Sequence, residues 1–112
     1  MGLLDHKVAI ITGASKGIGR ALSLRFGREG ARVVCAARSA DLVKDTAAQV
    51  QAAGGQAIAV ACDASVETDV QRLVAAGVQA FGRIDTLVNN AGDGGPTKRV
   101  HRYELVRHES IV

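Results

Sequence analysis

KVAIITGASKGIGRALSLRFGREG, residues 7–30, is the stretch that decides the fold of this chain. Lys7 to Thr12 is a short, continuous apolar run rich in β-branched residues, and such a run closed by a glycine turn predicts a strand buried on both faces. Gly13, Gly17 and Gly19 then fall in the spacing G-x-x-x-G-x-G, with Ser15 and Lys16 between the first two. Beyond the turn Ile18, Leu22 and Phe26 recur every fourth residue, which predicts a helix with one apolar face, and Gly30 supplies its stop.

Working outward, ARVVCAA (31–37) repeats the buried-strand pattern. Ser39 is placed to cap a second helix running towards Ala53, and Gly54 and Gly55 end it. QAIAVAC (56–62) reads as a third strand. Ser65 opens a third helix whose apolar face carries Val70, Leu73, Val74, Val78 and Phe81, although Gly77 inside it costs about 1 kcal/mol relative to alanine. RIDTLVNNAG contains a fourth strand, Ile84 to Val88.

The order βαβαβαβ, with helices long enough to cross back over a sheet, implies parallel strands covered on both faces. The expected fold is α/β, a Rossmann-type doubly wound parallel sheet truncated after its fourth strand. Residues 1–92 form this half-domain and residues 93–112 an atypical C-terminal tail. In the tail, Gly94-Gly95-Pro96 makes a turn and a short helix is expected near His101 to His108. A 3-2-1-4 strand order would leave the fourth strand as an uncovered edge, favouring self-association.

Composition narrows the classes of function. The chain has 112 residues, 47 % of them hydrophobic, and a formal charge of +3, values of a folded domain rather than a disordered one. Its positive charges are spread over both parts, no basic run exceeds Lys98-Arg99, and Phe26, Phe81 and Tyr103 are the only aromatic residues. That pattern argues against nucleic-acid binding. Cys35 and Cys62 lie in apolar surroundings without metal or redox spacing and read as small core residues. His101 and His108 lack a third ligand, so no metal is expected. No apolar stretch reaches the length of a membrane span, and a cytoplasmic protein without membrane partners is expected.

The glycine turn carries the chemistry. Glycines let the backbone turn sharply and approach a pyrophosphate closely, while the helix that follows offers free N–H groups and the positive end of its dipole. An ordinary tight turn is the alternative, but a buried strand on one side and an amphipathic helix on the other count against it. A Walker A loop is excluded, because no G-K-[ST] follows at the required spacing.

Thr12-Gly13-x-x-x-Gly17-Ile18-Gly19, followed some seventy residues later by Asn89-Asn90-Ala91-Gly92, resembles the short-chain dehydrogenase/reductase family. The resemblance covers residues 7–92 and implies an NAD(P)-dependent oxidoreductase that reduces carbonyls or oxidises alcohols by hydride transfer. It implies that the glycine turn holds the cofactor pyrophosphate, with the Ile18 amide beside it. It likewise implies that Asp63 hydrogen-bonds the adenine amino group, and that Asn90, with Ala91 and Gly92, lies next to the adenosine ribose. For Asp63 a turn or N-cap aspartate is the alternative.

Charge argues for NADP(H) over NAD(H). An acid at the end of the second strand would accept from a ribose 2′-hydroxyl and repel a 2′-phosphate, and here the sequence is Ala36-Ala37-Arg38-Ser39. Arg38 offers a planar fork suited to a phosphate dianion, and Lys16 adds a second charge.

The family's catalytic serine and Tyr-x-x-x-Lys pair have no match. The sole tyrosine, Tyr103, is followed by Glu104-Leu105-Val106-Arg107, too soon after Gly92 for the two βα units of about 30 residues each that precede the family's pair. No catalytic residue is therefore assigned, and the chain alone is expected to be inactive. A truncated gene or a shifted reading frame would explain the junction at Asp93. Two further readings stay open: a non-catalytic NADP(H)-binding module or sensor, and a Rossmann-type methyltransferase, against which Ala37-Arg38 and Asn-Asn-Ala-Gly both count.

Overall fold

A computed structural model describes residues 4–90 and a strand at 101–104. Strands β1 (Val8–Thr12), β2 (Arg32–Ala37), β3 (Gln56–Ala61) and β4 (Thr86–Asn89) alternate with helices α1 (Gly17–Arg28), α2 (Ala40–Ala52) and α3 (Glu67–Phe81), and β5 (His101–Glu104) follows. The sheet order is β3-β2-β1-β4-β5. The first four strands are parallel, and β1 lies between β2 and β4.

This order follows from the crossovers. β1, β2 and β3 step outward through α1 and α2, and α3 then carries the chain back to the opposite side of β1. Right-handed crossovers put α1 and α2 on one face and α3 on the other. β1 and β2 are buried on both sides, and the strands divide their residues between two cores accordingly. Ile11, Val33, Cys35 and Val88 join Val43 and Val50 of α2 in one core. Val8, Ile10, Val34 and Ala36 join Leu73 of α3 and Ile84 in the other.

Helix α1 meets the sheet through a different stripe from the one its apolar spacing suggests. Gly19, Ser23 and Gly27 are its buried residues. Leu22 and Phe26 only flank the core, and Ile18 is 59 % exposed. Small residues win the inward face because α1 packs closely against its neighbours: a Cβ at Gly27 would stand 2.6 Å from Val50 Cγ1. Gly77 in α3 has the same reason, since its Cβ would meet Ile84 Cδ1 at 2.6 Å and Val34 Cγ2 at 3.2 Å. The propensity cost of this mid-helix glycine is thus the condition for seating α3 on the sheet. The N-cap of α3 is Val66 rather than Ser65.

The expectation for the tail is corrected. Residues 101–104 are extended rather than helical, and β5 pairs antiparallel with β4, from His101 opposite Asn89 to Glu104 opposite Thr86. The fourth strand is therefore not the uncovered edge that the sequence suggested. An isolated helix of two turns is marginal in water, whereas the outer edge of β4 offers a ready row of backbone donors and acceptors.

Asp85 joins the starts of β1 and β4. Its Oδ2 accepts from the Val8 amide at 2.8 Å, and its own amide donates to the Val8 carbonyl at 2.9 Å. Arg83 donates to Oδ1, from Nε at 3.1 Å. Burial pushes the Asp85 carboxyl up, but the Val8 amide and the Arg83 guanidinium outweigh it and hold the group below its usual 3.8. A depressed folded pKa stabilises above the unfolded pKa, and the contribution disappears as pH falls through the folded value. Asp85→Ala should therefore cost about 1.5–3 kcal/mol at neutral pH, the range for a hydrogen bond to a charged group. In urea unfolding followed against pH, the gap between parent and variant should close below the ordinary aspartate range. A gap independent of pH would contradict this account.

Candidate functional site

The strand order reverses beside β1, and the turn after β1 meets the end of β4 at that point. In open parallel sheets this crevice at the carboxyl ends of the strands is where ligands bind. Thr12, the last residue of β1, is buried, and its hydroxyl donates to Asn89 Oδ1 at 3.0 Å while accepting from the Asn90 amide at 2.9 Å. The Val88 carbonyl lies 3.4 Å from the same hydroxyl. The tips of the two central strands are thus tied together through Thr12, and Asn89, which the sequence reading left without a role, supplies half of the tie.

Gly13 and Gly17 have φ of 64° and 61°, the left-handed region that favours glycine. Gly19 is required for a different reason. A Cβ there would overlap the Gly13 carbonyl group, 2.6 Å from its carbon, and would stand 3.0 Å from Asn90 Nδ2. The first turn of α1 consequently lies directly against the turn and the end of β4, which brings Gly13, Gly19 and Asn90 together.

The start of α1 differs from the other helix starts. Lys16 at its N-cap makes no side-chain cap, and its first turn has no acidic residue. By contrast, Ser39 Oγ at the start of α2 accepts from the Leu42 amide at 3.3 Å, with Asp41 nearby, and α3 begins with Glu67 and Asp69. The α1 amides and the positive end of its dipole are left without a side-chain anion, the condition under which a helix start attracts a phosphate. Ser15 is half-buried in the turn, whereas Lys16, Gly17 and Ile18 are exposed.

Arg38 is exposed and follows β2 directly. Asp63 lies just beyond β3, the neighbouring strand, with Ala37 and Ala61 in register. Asp63 Oδ1 accepts from the Ser65 hydroxyl at 2.6 Å and the Ser65 amide at 2.9 Å. These two bonds, helped by the positive charge of Arg38, hold its carboxyl below the usual range. The turn geometry weighed as the alternative for Asp63 is thus present, yet both bonds use one oxygen and leave Oδ2 out of the turn. Asp69 Oδ2 accepts from the Asp63 amide at 2.9 Å and Arg72 pairs with Asp69, which together lower the Asp69 carboxyl. Ala91 and Gly92 lie outside the described residues.

The cysteines play no part in this site. Both are free and buried, and burial pushes the Cys35 thiol up to about 11 against a hydrogen bond with Ser23. Among the described residues no group of three His, Cys, Asp or Glu is placed to hold a metal, and no helix is long and apolar enough to cross a membrane.

A parallel sheet in the order β3-β2-β1-β4, with a glycine turn leading into an uncapped helix at the reversal point, defines a Rossmann-type nucleotide-binding architecture. More particularly, the chain belongs to the short chain dehydrogenase family of oxidoreductases, whose family model matches residues 7–111. It is 43 % identical over 93 residues to a 7alpha-hydroxysteroid dehydrogenase of Escherichia coli (strain K12), a match that covers 83 % of this chain and 36 % of that protein. Two solved structures share the fold. A metagenomic short-chain oxidoreductase in complex with NADP has a TM-score of 0.76 and 43 % identity, covering 81 % of this chain and 41 % of that one. A 7 alpha-hydroxysteroid dehydrogenase complexed with NADH and 7-oxo glycochenodeoxycholic acid has a TM-score of 0.80 and 42 % identity, covering 84 % and 37 %. The chain spans little more than a third of the length of the curated relative.

The contact at Gly19 is testable by stability. Gly19→Ala would gain about 1 kcal/mol from helix propensity alone, but forcing a methyl group onto the Gly13 carbonyl should cost about 1–3 kcal/mol or more. Net destabilisation in urea unfolding is expected, and a stabilised variant would show that the turn does not touch α1.

Proposed function

We propose that residues 7–92 bind a nicotinamide dinucleotide, NADP(H) in preference to NAD(H), as the cofactor-binding portion of an oxidoreductase acting on a carbonyl or alcohol. The observation that carries this reading is the α1 start, which has neither a side-chain cap nor an acid and is set against the Gly13 turn at the reversal of strand order. The contact at Gly19 supports the fit: with no Cβ there, the first turn of α1 sits against the Gly13 carbonyl, which keeps the α1 amides beside the turn.

In this reading the backbone of Gly13, Ser15, Gly17, Ile18 and Gly19 receives the pyrophosphate through its amides. Thr12 holds the turn against β4, Asp63 offers Oδ2 to an amino group on the adenine, and Asn90, Ala91 and Gly92 border the ribose. The dinucleotide supplies a hydride donor or acceptor when bound. The residues of this chain bind and orient it.

Relatives with NADP and with NADH are both known, so the cofactor preference rests on Arg38 and Lys16. Charge-assisted contacts to a 2′-phosphate are worth roughly 1.5–3 kcal/mol, about ten- to a hundredfold in affinity. Calorimetric titration should show NADPH binding more tightly than NADH by that factor, and Arg38→Asp should reverse the order. Equal affinities for the parent chain would remove the argument from charge. Any edge-mediated self-association is assigned to β3 or β5, because β4 is paired on both sides.

The 112 residues contain Tyr-x-x-x-Arg at Tyr103 and no Tyr-x-x-x-Lys, an observation that favours binding without chemistry for this polypeptide on its own. A phenol with a pKa near 10 is a poor proton donor without a nearby ammonium group, and a positioned general acid contributes about 10²- to 10⁴-fold. The purified chain, incubated with NADPH and ketones, aldehydes or quinones, should show no loss of nicotinamide absorbance beyond the blank. Turnover that disappears on Tyr103→Phe would overturn this expectation.

A further inference from the structure

We propose that Thr46, in the middle of α2, is a positioning residue for the glycine turn: its hydroxyl fixes the backbone from which the turn presents its amides to a pyrophosphate. The inference rests on the dinucleotide reading above and extends it to a residue outside the motif.

Thr46 is fully buried, and its Oγ1 donates to the Ala14 carbonyl at 2.8 Å. The carbonyl one turn earlier in its own helix, at Leu42, lies at 3.4 Å. A hydroxyl has one hydrogen to give, so the shorter contact claims it. A threonine serving only its own helix would bond back to residue i−4, whereas this one reaches across to another element. Ala14 is itself fully buried, and its amide donates to the Ala36 carbonyl at 3.0 Å. Both backbone polar groups of Ala14 are thereby engaged, one at the end of β2 and one on α2.

The consequence concerns the residues that follow. Ala14 immediately precedes Ser15, Lys16 and Gly17, whose path leads to the α1 amides. With the glycines flanking it permissive, the segment from 13 to 17 depends on Ala14 for a fixed height above the sheet. The Arg20–Asp45 ion pair also joins α1 to α2, at 2.7 Å, but it is exposed at Asp45 and screened by solvent. Among the described residues Thr46 makes the buried hydrogen bond that joins α2 to the turn, and α2 begins two residues after Arg38. One helix therefore relates the residue suited to a 2′-phosphate to the turn suited to a pyrophosphate.

The test compares Thr46→Val, which keeps the shape and removes the donor, with Thr46→Ser, which keeps the donor. Thr46→Ala serves the same comparison if the valine variant does not fold. The full chain is titrated with NADPH, with ADP, which carries a diphosphate, and with 2′-AMP, which does not. Losing one buried hydrogen bond should weaken NADPH and ADP about five- to tenfold in the valine variant, leave 2′-AMP within about twofold, and be rescued by serine. Without ligand, amide hydrogen exchange at residues 13–17 should accelerate in the valine variant and not in the serine variant.

Parental affinity for NADPH in Thr46→Val overturns the inference. So does an equal weakening of all three ligands accompanied by a lower melting temperature, since that is the behaviour of a residue that only stabilises the fold. If the parent binds neither NADPH nor ADP while exchange at the turn still responds to Thr46→Val, the dinucleotide reading fails and Thr46 is left as a structural clamp.

Discussion

The Gly19 backbone and the Gly13 carbonyl approach so closely that no side chain fits between them, and the carboxyl end of the sheet is arranged around that contact. It sets α1 against the end of β1. Thr12 then ties β1 to Asn89 and Asn90, so the first turn of α1, the glycine turn and the tip of β4 form one unit. The same economy of side chains runs along the helix, where Gly19, Ser23 and Gly27 face inward and Gly27 lets α2 approach through Val50. Ser23 keeps its hydroxyl satisfied on the Gly19 carbonyl at 2.9 Å, as a buried polar group must. A helix that brings its N-terminal amides to a phosphate has to sit close to the strand it follows, and small residues permit that distance.

Much of this could be read from the residues, for a physical reason. Buried parallel strands are short apolar runs, and VAIIT, RVVCAA and QAIAVA stand out against the helical periods between them. The glycine turn was visible because unusual backbone angles demand an unusual residue. The inward face of α1 was not, because apolar spacing finds large side chains and this interface selects small ones. Thr46 shares the inward stripe of Val43, Ala47 and Val50, but nothing local to α2 reveals the Ala14 carbonyl that it meets. Strand β5 was hidden for a further reason. HRYE lacks a pattern of alternating apolar residues, and its conformation comes from the unpaired edge of β4, a partner that local sequence does not reveal.

Charge is distributed over the helix starts in a way that separates folding from binding. Asp41 at α2 and Glu67 with Asp69 at α3 satisfy those helix dipoles internally. The start of α1 is left positive, with Lys16 adding to the field rather than neutralising it. Leaving these amides without a side-chain partner forgoes stability of about 0.5–2 kcal/mol, the usual contribution of a cap. In the proposed reading, an anionic ligand would recover it on binding, which would couple occupancy of this site to the stability of α1.

In the proposed dinucleotide reading, Asp63 near Arg38 would limit how strongly a 2′-phosphate is selected by charge. Arg38 already lies within electrostatic reach of Asp63 and helps keep that carboxylate ionised. A 2′-phosphate entering beside Arg38 would meet the arginine and the field of the aspartate together, so the attraction of one cation is offset in part by the repulsion of one anion. Ser65 already occupies Oδ1 of Asp63 with two hydrogen bonds. Lys16 would act from the other side, at the start of α1, where among the described residues no carboxylate pairs with it. In the proposed dinucleotide reading, selection for the phosphate would be shared between Arg38, which follows β2, and Lys16 at the start of α1. Asp63 at the same time remains available for an amino group that carries no charge. Such a site would discriminate by the sum of two attractions at exposed side chains, and a preference resting on Arg38 and Lys16 would weaken as ionic strength rises.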